Sequence, residues 1–204
     1  MLGHWSHDEY APSTEQRDAA DEALAELIVR GSPSHDGVTA RLAGYESSNG
    51  DLRLELQRMR WSLRLVEGTG ALSVLCVVRD SEGRWLAGQR AAWVATWAGI
   101  WALGGGGAVD VGENPVVALG RELEEEWGVV PERLTVEALI ATPNGQASLV
   151  GQTRLAPGVQ VRSNDEHVAH AWWPADPAQW PEEVQPELRL VGELLARTSE
   201  RRSN

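Results

Sequence analysis

The segment GGGGAVDVGENPVVALGRELEEEWGV, residues 104–129, constrains this chain more than any other stretch. The four glycines are expected to open a loop. Pro115 suits the first turn of a helix that runs to about Trp127, with Gly128 as its stop. At roughly 100° of rotation per residue, Val116, Leu119, Leu123 and Trp127 fall on one stripe, the face a helix buries. Glu122, Glu125 and Glu126 cluster at i, i+3 and i+4 on the neighbouring face, while Glu124 points elsewhere, to solvent. Like charges so spaced repel by roughly 0.2–0.5 kcal/mol per pair. A merely solvated acidic face would lie opposite the apolar stripe. This one borders it, beside the glycines, where hard divalent cations would find several carboxylate oxygens.

Composition narrows the function classes. The formal net charge is −12, and all 18 basic residues are arginine. A surface this acidic suits neither nucleic acid nor an anionic membrane, because phosphate contacts need basic residues. An anionic substrate would need a cation as intermediary. Cys76 stands alone, which excludes an intrachain disulfide and cysteine-rich zinc clusters. The start, MLGHWSHDEYAPS, does not read as a secretory signal, and no apolar stretch approaches membrane-spanning length. A cytoplasmic protein is the expectation.

The chain changes character near residue 66. Before it, Ser13 and Gln16 form a capping box for a helix that ends near Gly31, with Leu24, Leu27 and Ile28 as its apolar stripe. GSPSHDG (31–37) and SSNGD (47–51) read as loops. Residues 52–65 fit two periods. Leu52, Leu56, Met59 and Leu63 suit a helical face, whereas Met59, Trp61, Leu63 and Leu65 alternate as in a strand; the start of the segment favours helix. After it, ALSVLCVVRD and RWLAGQR read as a hairpin, LTVEALIAT, ASLVGQTRL and VAHAWWP as further strands, and about 186–197 as a last helix with Leu188, Val191 and Leu195 inward. Strands around a central helix, with a second helix at the end, indicate an α/β sandwich.

Gly107, Glu113, Arg121-Glu122-Leu123-x-Glu125-Glu126 and Gly128-Val129 stand at the spacings of the Nudix box, and the chain resembles the Nudix hydrolase family. The box covers 23 residues, and the surrounding strand order resembles the family's domain over about 68–198. The resemblance implies a Nudix-type α/β/α sandwich with a mixed β-sheet over 67–204, preceded by a partly helical N-terminal extension over 1–66. It also implies hydrolysis of a nucleoside diphosphate derivative by water attack at phosphorus, with Mg²⁺ or Mn²⁺. Carried onto this chain, Glu122, Glu125 and Glu126 become metal ligands, and Arg121 orients them. Glu113 either has a helix-start or ion-pair role or belongs to the metal site. Glu166, before Trp172 in NDEHVAHAWW, is a further ligand or the general base, with Glu125 as its rival for that role. Arg90, Gly106, Gly107 and Trp97 are candidate substrate contacts. His167 and His170 read as ordinary strand or loop histidines.

TWAGIW (96–101) resembles the stretch before the box in the subgroup named after isopentenyl diphosphate isomerase, with Ala98 where that subgroup has proline. Isomerase chemistry would need a reactive cysteine, and Cys76 reads as core. Of Trp93, Trp97 and Trp101, at least two are expected to pack rather than stack on a base. Pro143 lies where some ADP-ribose-cleaving members carry proline, and where any turn would too. The alternative to hydrolysis is a non-catalytic nucleotide- or metabolite-binding Nudix module; an RNA-decapping enzyme would need a basic extension. The N-terminal residues leave open a dimerisation arm, hence a homodimer, a lid, or a cap on the sheet.

Overall fold

In the computed structural model the structure describes residues 2–33, 35–142 and 144–203. A mixed sheet holds the strands in the order β10-β5-β4-β9-β8: His167–Trp173, Trp85–Arg90, Leu72–Arg79, Ala147–Arg154 and Leu134–Ala141. Only β4 and β9 run parallel; the other pairs in this sheet are antiparallel. Alternate residues of β4 face opposite ways, as the pleat demands. Leu72, Val74, Cys76 and Val78 pack with Leu119, Leu123 and Trp127 of helix α2 (Pro115–Trp127). Val77 packs on the other side with Leu188 and Leu195 of helix α3 (Pro186–Ser203). The result is the expected α/β/α sandwich. Among the described residues, no helix is long and apolar enough to cross a membrane.

The core on the α3 side holds three buried tryptophans, Trp85, Trp173 and Trp180, among aliphatic residues. Trp85 meets Trp180 at 5.4 Å between centroids, Trp173 meets Trp180 at 5.2 Å, and Trp101 meets Trp173 at 5.8 Å. The indole N–H groups of Trp85 and Trp180 donate to the carbonyls of Ala175 and Pro174 at 2.9 and 2.8 Å, so their burial leaves neither donor unpaired. Trp101 is thus packing, as expected for most of its group.

Three sequence expectations are corrected. First, the glycine run does not open a loop. Trp101–Leu103 forms β6 against β5, and Gly105–Ala108 forms β7 against β4. The chain crosses from one partner to the other at Gly104, where φ is +54° and a Cβ would collide with the Cys76 carbonyl. This wedge also splays the expected hairpin: β4 and β5 pair only at Arg79 and Trp85. Second, residues 52–65 do not start as helix. Asp51–Arg60 is strand β3, and only Trp61–Leu65 turns, as a 3₁₀ helix. Third, Ile28 is not inward on α1 (Thr14–Val29); it is 58% exposed, and Ala20 and Leu27 are the buried residues there.

The N-terminal region forms its own sheet, in the order β1-β3-β2, from Leu2–Glu9, Asp51–Arg60 and Val38–Ser48. The capping box of α1 is present at Ser13 and Gln16. Ala40, Leu54 and Leu56 are fully buried in the same cluster as Leu119 and Leu123. Backbone bridges at Thr39–Asp110 and Arg41–Ala71 join the two sheets. Pro143 lies outside the described residues.

Candidate active site

Helix α2 begins where Asn114 caps it, its side chain accepting from the Val116 N–H, and Pro115 occupies the first turn. It ends at Gly128 in the left-handed conformation, φ +64°. The seven buried residues include Leu119, Leu123 and Trp127 of the apolar stripe, whose Val116 is half-buried, and also Glu122 and Glu126, which are 8% and 2% exposed. These two carboxylates lie one turn apart against β7. A Cβ at Gly107 would overlap the Glu122 carboxylate, and one at Gly105 would sit 3.3 Å from Glu126 Oε2. The glycine strand therefore makes room for two buried acids.

Arg121 organises the opening of the site. Its Nε and Nη2 donate to the two oxygens of Glu113 at 3.0 and 3.1 Å. Nη1 donates to Glu122 at 2.9 Å and to Glu125 at 3.0 Å, and Nη2 also donates to the Ala108 carbonyl at 2.9 Å. Glu113 is thereby an ion-pair residue that also accepts the Asp110 N–H. Glu125 stays at the rim, its side chain 56% exposed. Arg90, at the end of β5, plays the matching part deeper in. Its Nη1 lies 3.1 Å from Glu166 and 3.5 Å from Glu126 Oε1, the oxygen that also accepts the Gly106 N–H. Glu166 reaches this point because the Arg162 and Asn164 N–H groups bond the carbonyls of Trp127 and Glu126 at the end of α2.

Burial sets the protonation of the acids. It pushes Glu122 up to about 7 against the pull of Arg121, and Glu126 up to about 8 against the pull of Arg90. Glu113 hydrogen bonding holds Arg121 firmly charged. Burial lowers His167 to about 4, so its imidazole is neutral at pH 7. Cys76 is fully buried and its thiol is pushed up to about 12, which leaves it inert.

Among the described residues, no three His, Cys, Asp or Glu side chains converge closely enough to hold a metal ion together. Arg121 and Arg90 stand between the carboxylates instead. The residues still fit a divalent cation. The donors are hard oxygens, and Glu126 Oε2 is buried with no hydrogen-bond partner. An orphaned buried carboxylate oxygen calls for a positive partner.

The structure thus gathers Glu122, Glu125, Glu126, Glu166, Arg90, Arg121, Gly106 and Gly107 around one end of α2. Trp97 sits in the 91–100 loop, whose Gly99 and Ile100 bond the Arg90 backbone; it is 44% exposed with φ +60°. Two neighbours escaped sequence reasoning. Arg64, half-buried in the 3₁₀ turn, brings a positive charge to bear on Glu122. His167 proves to be fully inside, against Trp127 at 4.5 Å. Only the place of His167 beside Glu166 hinted at its role, and nothing local in the sequence marked Arg64. His170 is exposed.

A NUDIX domain family model matches residues 70–194. Among solved structures, the fold is similar to the MutT protein from Methanosarcina mazei Go1, with TM-score 0.52 and 23% identity over 63% of this chain and 94% of that one. It is similar to the NUDIX domain of Shewanella oneidensis NrtR complexed with ADP ribose, with TM-score 0.52 and 20% identity over 63% and 88% of the two chains. It is also similar to DR0079 from Deinococcus radiodurans, with TM-score 0.55 and 16% identity over 70% and 85%. At these identities the likeness is one of fold. No curated protein matches the sequence.

Proposed function

Because the chain belongs to the Nudix family, we propose that it is a divalent-metal-dependent hydrolase that cleaves the diphosphate linkage of a nucleoside diphosphate derivative. Glu126 carries this reading: a buried carboxylate with an unpartnered oxygen, one turn from a second buried carboxylate, beside a strand stripped of side chains. The substrate class is that of the ADP ribose held by the NrtR domain, whose fold is similar.

Mg²⁺ or Mn²⁺ held by Glu122, Glu126 and Glu125 would neutralise the diphosphate, polarise its phosphoryl oxygens and lower the pKa of bound water. The chain's own residues do the rest. Arg121 fixes Glu122 and Glu125 relative to each other through one guanidinium, itself anchored on Glu113. Water attacks phosphorus, the bridging P–O bond breaks with its oxygen leaving on the other phosphate, and the water's proton passes to a carboxylate with solvent access. Glu166, 35% exposed at its side chain, takes that role, with Glu125 on the opposite rim as the other candidate. Arg90 holds Glu166 close, and its planar fork suits a phosphate oxygen.

The test is phosphate-product release from a panel of nucleoside triphosphates, ADP-ribose, dinucleotides and nucleotide sugars, with Mg²⁺ and with Mn²⁺. Turnover of one class is expected, with Glu126→Gln reducing it about a hundredfold or more, a loss of roughly 2.7 kcal/mol in transition-state stabilisation. No turnover of any compound, alongside tight nucleotide binding, would replace hydrolysis by ligand binding as the function.

A further inference from the structure

Beside Glu126 the fold buries an imidazole that the hydrolytic scheme does not use. His167 opens β10 and is 5% exposed. Its ring packs on Trp127, and β5 leaves it room at Gly88, where a Cβ would overlap the imidazole and lie 2.8 Å from Trp127. Neither ring nitrogen has a hydrogen-bond partner. Nε2 faces Glu126 Oε2 at 3.7 Å, and that oxygen is unpartnered too. Arg90 does not fill the gap, since its contact is with the other oxygen, Oε1.

Two buried, unpartnered polar atoms that face one another ask for a reason. A direct hydrogen bond would close them to about 2.9 Å. The observed separation is too wide for that. It falls within reach of two donors that share one ion, since ligands each at about 2.0–2.2 Å from a metal lie at most about 4.4 Å apart.

We propose that His167 Nε2 and Glu126 Oε2 together ligate a divalent transition-metal ion, so that the metal site of this chain has a nitrogen donor beside its carboxylates. The inference rests on the reading of Glu126 as a metal ligand. Imidazole is a softer donor than carboxylate, so a site with both favours Co²⁺, Fe²⁺ or Zn²⁺ over Mg²⁺.

The decisive measurement is pulsed electron paramagnetic resonance of the native chain loaded with Mn²⁺. Echo modulation from a coordinated ¹⁴N nucleus is expected, replaced by the ¹⁵N pattern when the protein is labelled with ¹⁵N-histidine. His167→Gln should abolish it, and His170→Gln, at an exposed position, should keep it. By calorimetry, His167→Gln should weaken Co²⁺ binding at least about tenfold and Mg²⁺ binding by less than about threefold. Absence of nitrogen coupling in the native chain, or unchanged Co²⁺ affinity in His167→Gln, overturns the proposal. The labelled native chain decides the matter even where His167→Gln fails to fold. Diphosphate turnover with Mg²⁺ and with Mn²⁺, measured alongside, separates this inference from the hydrolytic reading. Turnover without nitrogen coupling defeats the inference alone. Nitrogen coupling without turnover supports the site and defeats the hydrolytic reading. A chain that binds no divalent ion defeats both.

Discussion

Glu126 illustrates how a functional side chain opposes the fold that holds it. Burial raises its proton affinity, and that of Glu122, well above the ordinary value of 4.5. Between about pH 4.5 and 8 the folded chain therefore binds more protons at these positions than the unfolded chain does. Stability must fall as pH rises through that window, because the unfolded state ionises freely while the folded state resists. Below it, both states carry the proton and the contribution vanishes. We expect the melting temperature of the metal-free chain to decline from pH 5 to 8.5 and Glu126→Gln to flatten that decline. The variant should also melt a few degrees higher at pH 8.5, taking about 2–4 °C per kcal/mol for a chain of this size. Added Mn²⁺ should restore the native chain and leave the variant unmoved. A residue whose replacement stabilises the protein while abolishing turnover is there for chemistry. Superimposable pH profiles for the two proteins would contradict this account.

At the scale of elements, strand β7 and helix α2 form one unit, and two glycines three residues apart hold it for different reasons. Gly104 adopts positive φ, with the Cys76 backbone where a Cβ would go. Gly107 faces the end of a glutamate side chain, which can move. Gly104→Ala is thus expected to cost stability, about 2–5 kcal/mol from left-handed strain plus overpacking. Gly107→Ala is expected to cost less than about 1 kcal/mol but at least tenfold in turnover, because Glu122 leaves its place on Arg121. Thermal melts and kinetics on both variants check the contrast; a large loss of stability in Gly107→Ala would end it. The helix itself was legible in sequence from Pro115 to Gly128, because both residues act locally; the Asn114 cap is seen only in the structure. The glycine strand was not: without side chains it has no period, and its pairing depends on β4. Strand β3 was misread for another reason. Leu52, Leu54 and Leu56 alternate, and Asn49-Gly50, at φ +51° and +83°, is a hairpin turn. The competing spacing of Leu52, Leu56, Met59 and Leu63 also fits a helix, and no local rule arbitrates between the two periods. In the site, Glu122, Glu125 and Glu126 could be grouped from helix geometry alone. Arg64 and His167 come from other elements, and only folding brings them near.

The whole molecule depends on how the N-terminal sheet meets the sandwich. A detachable cap would bury its own core and touch the rest through a polar seam. Here Ala40, Leu54 and Leu56 are fully buried in one cluster with Leu119 and Leu123, on the helix that bears the glutamates. Trp5 donates its indole N–H to the Glu113 carbonyl at 3.2 Å, so β1 also braces the residue on which Arg121 is anchored. A cavity of about 290 Å³ lies at this junction, walled by Thr39 and Trp61 on one side and Ala108 and Asp110 on the other. Removal of residues 1–66 would strip apolar cover from α2 at about 25 cal/mol per Å² exposed. The fragment 67–204 is therefore expected to lose cooperative unfolding and turnover together, even though it keeps every carboxylate of the site. Leu56→Ala in the full chain should reproduce the effect in small, with a loss of about 2–5 kcal/mol and kinetics that stay native at temperatures where the variant remains folded. That pairing separates support from direct participation. A fragment that melts cooperatively and turns over substrate at the native rate would make the N-terminal sheet dispensable, and the shared core would then have to be held by the sandwich alone.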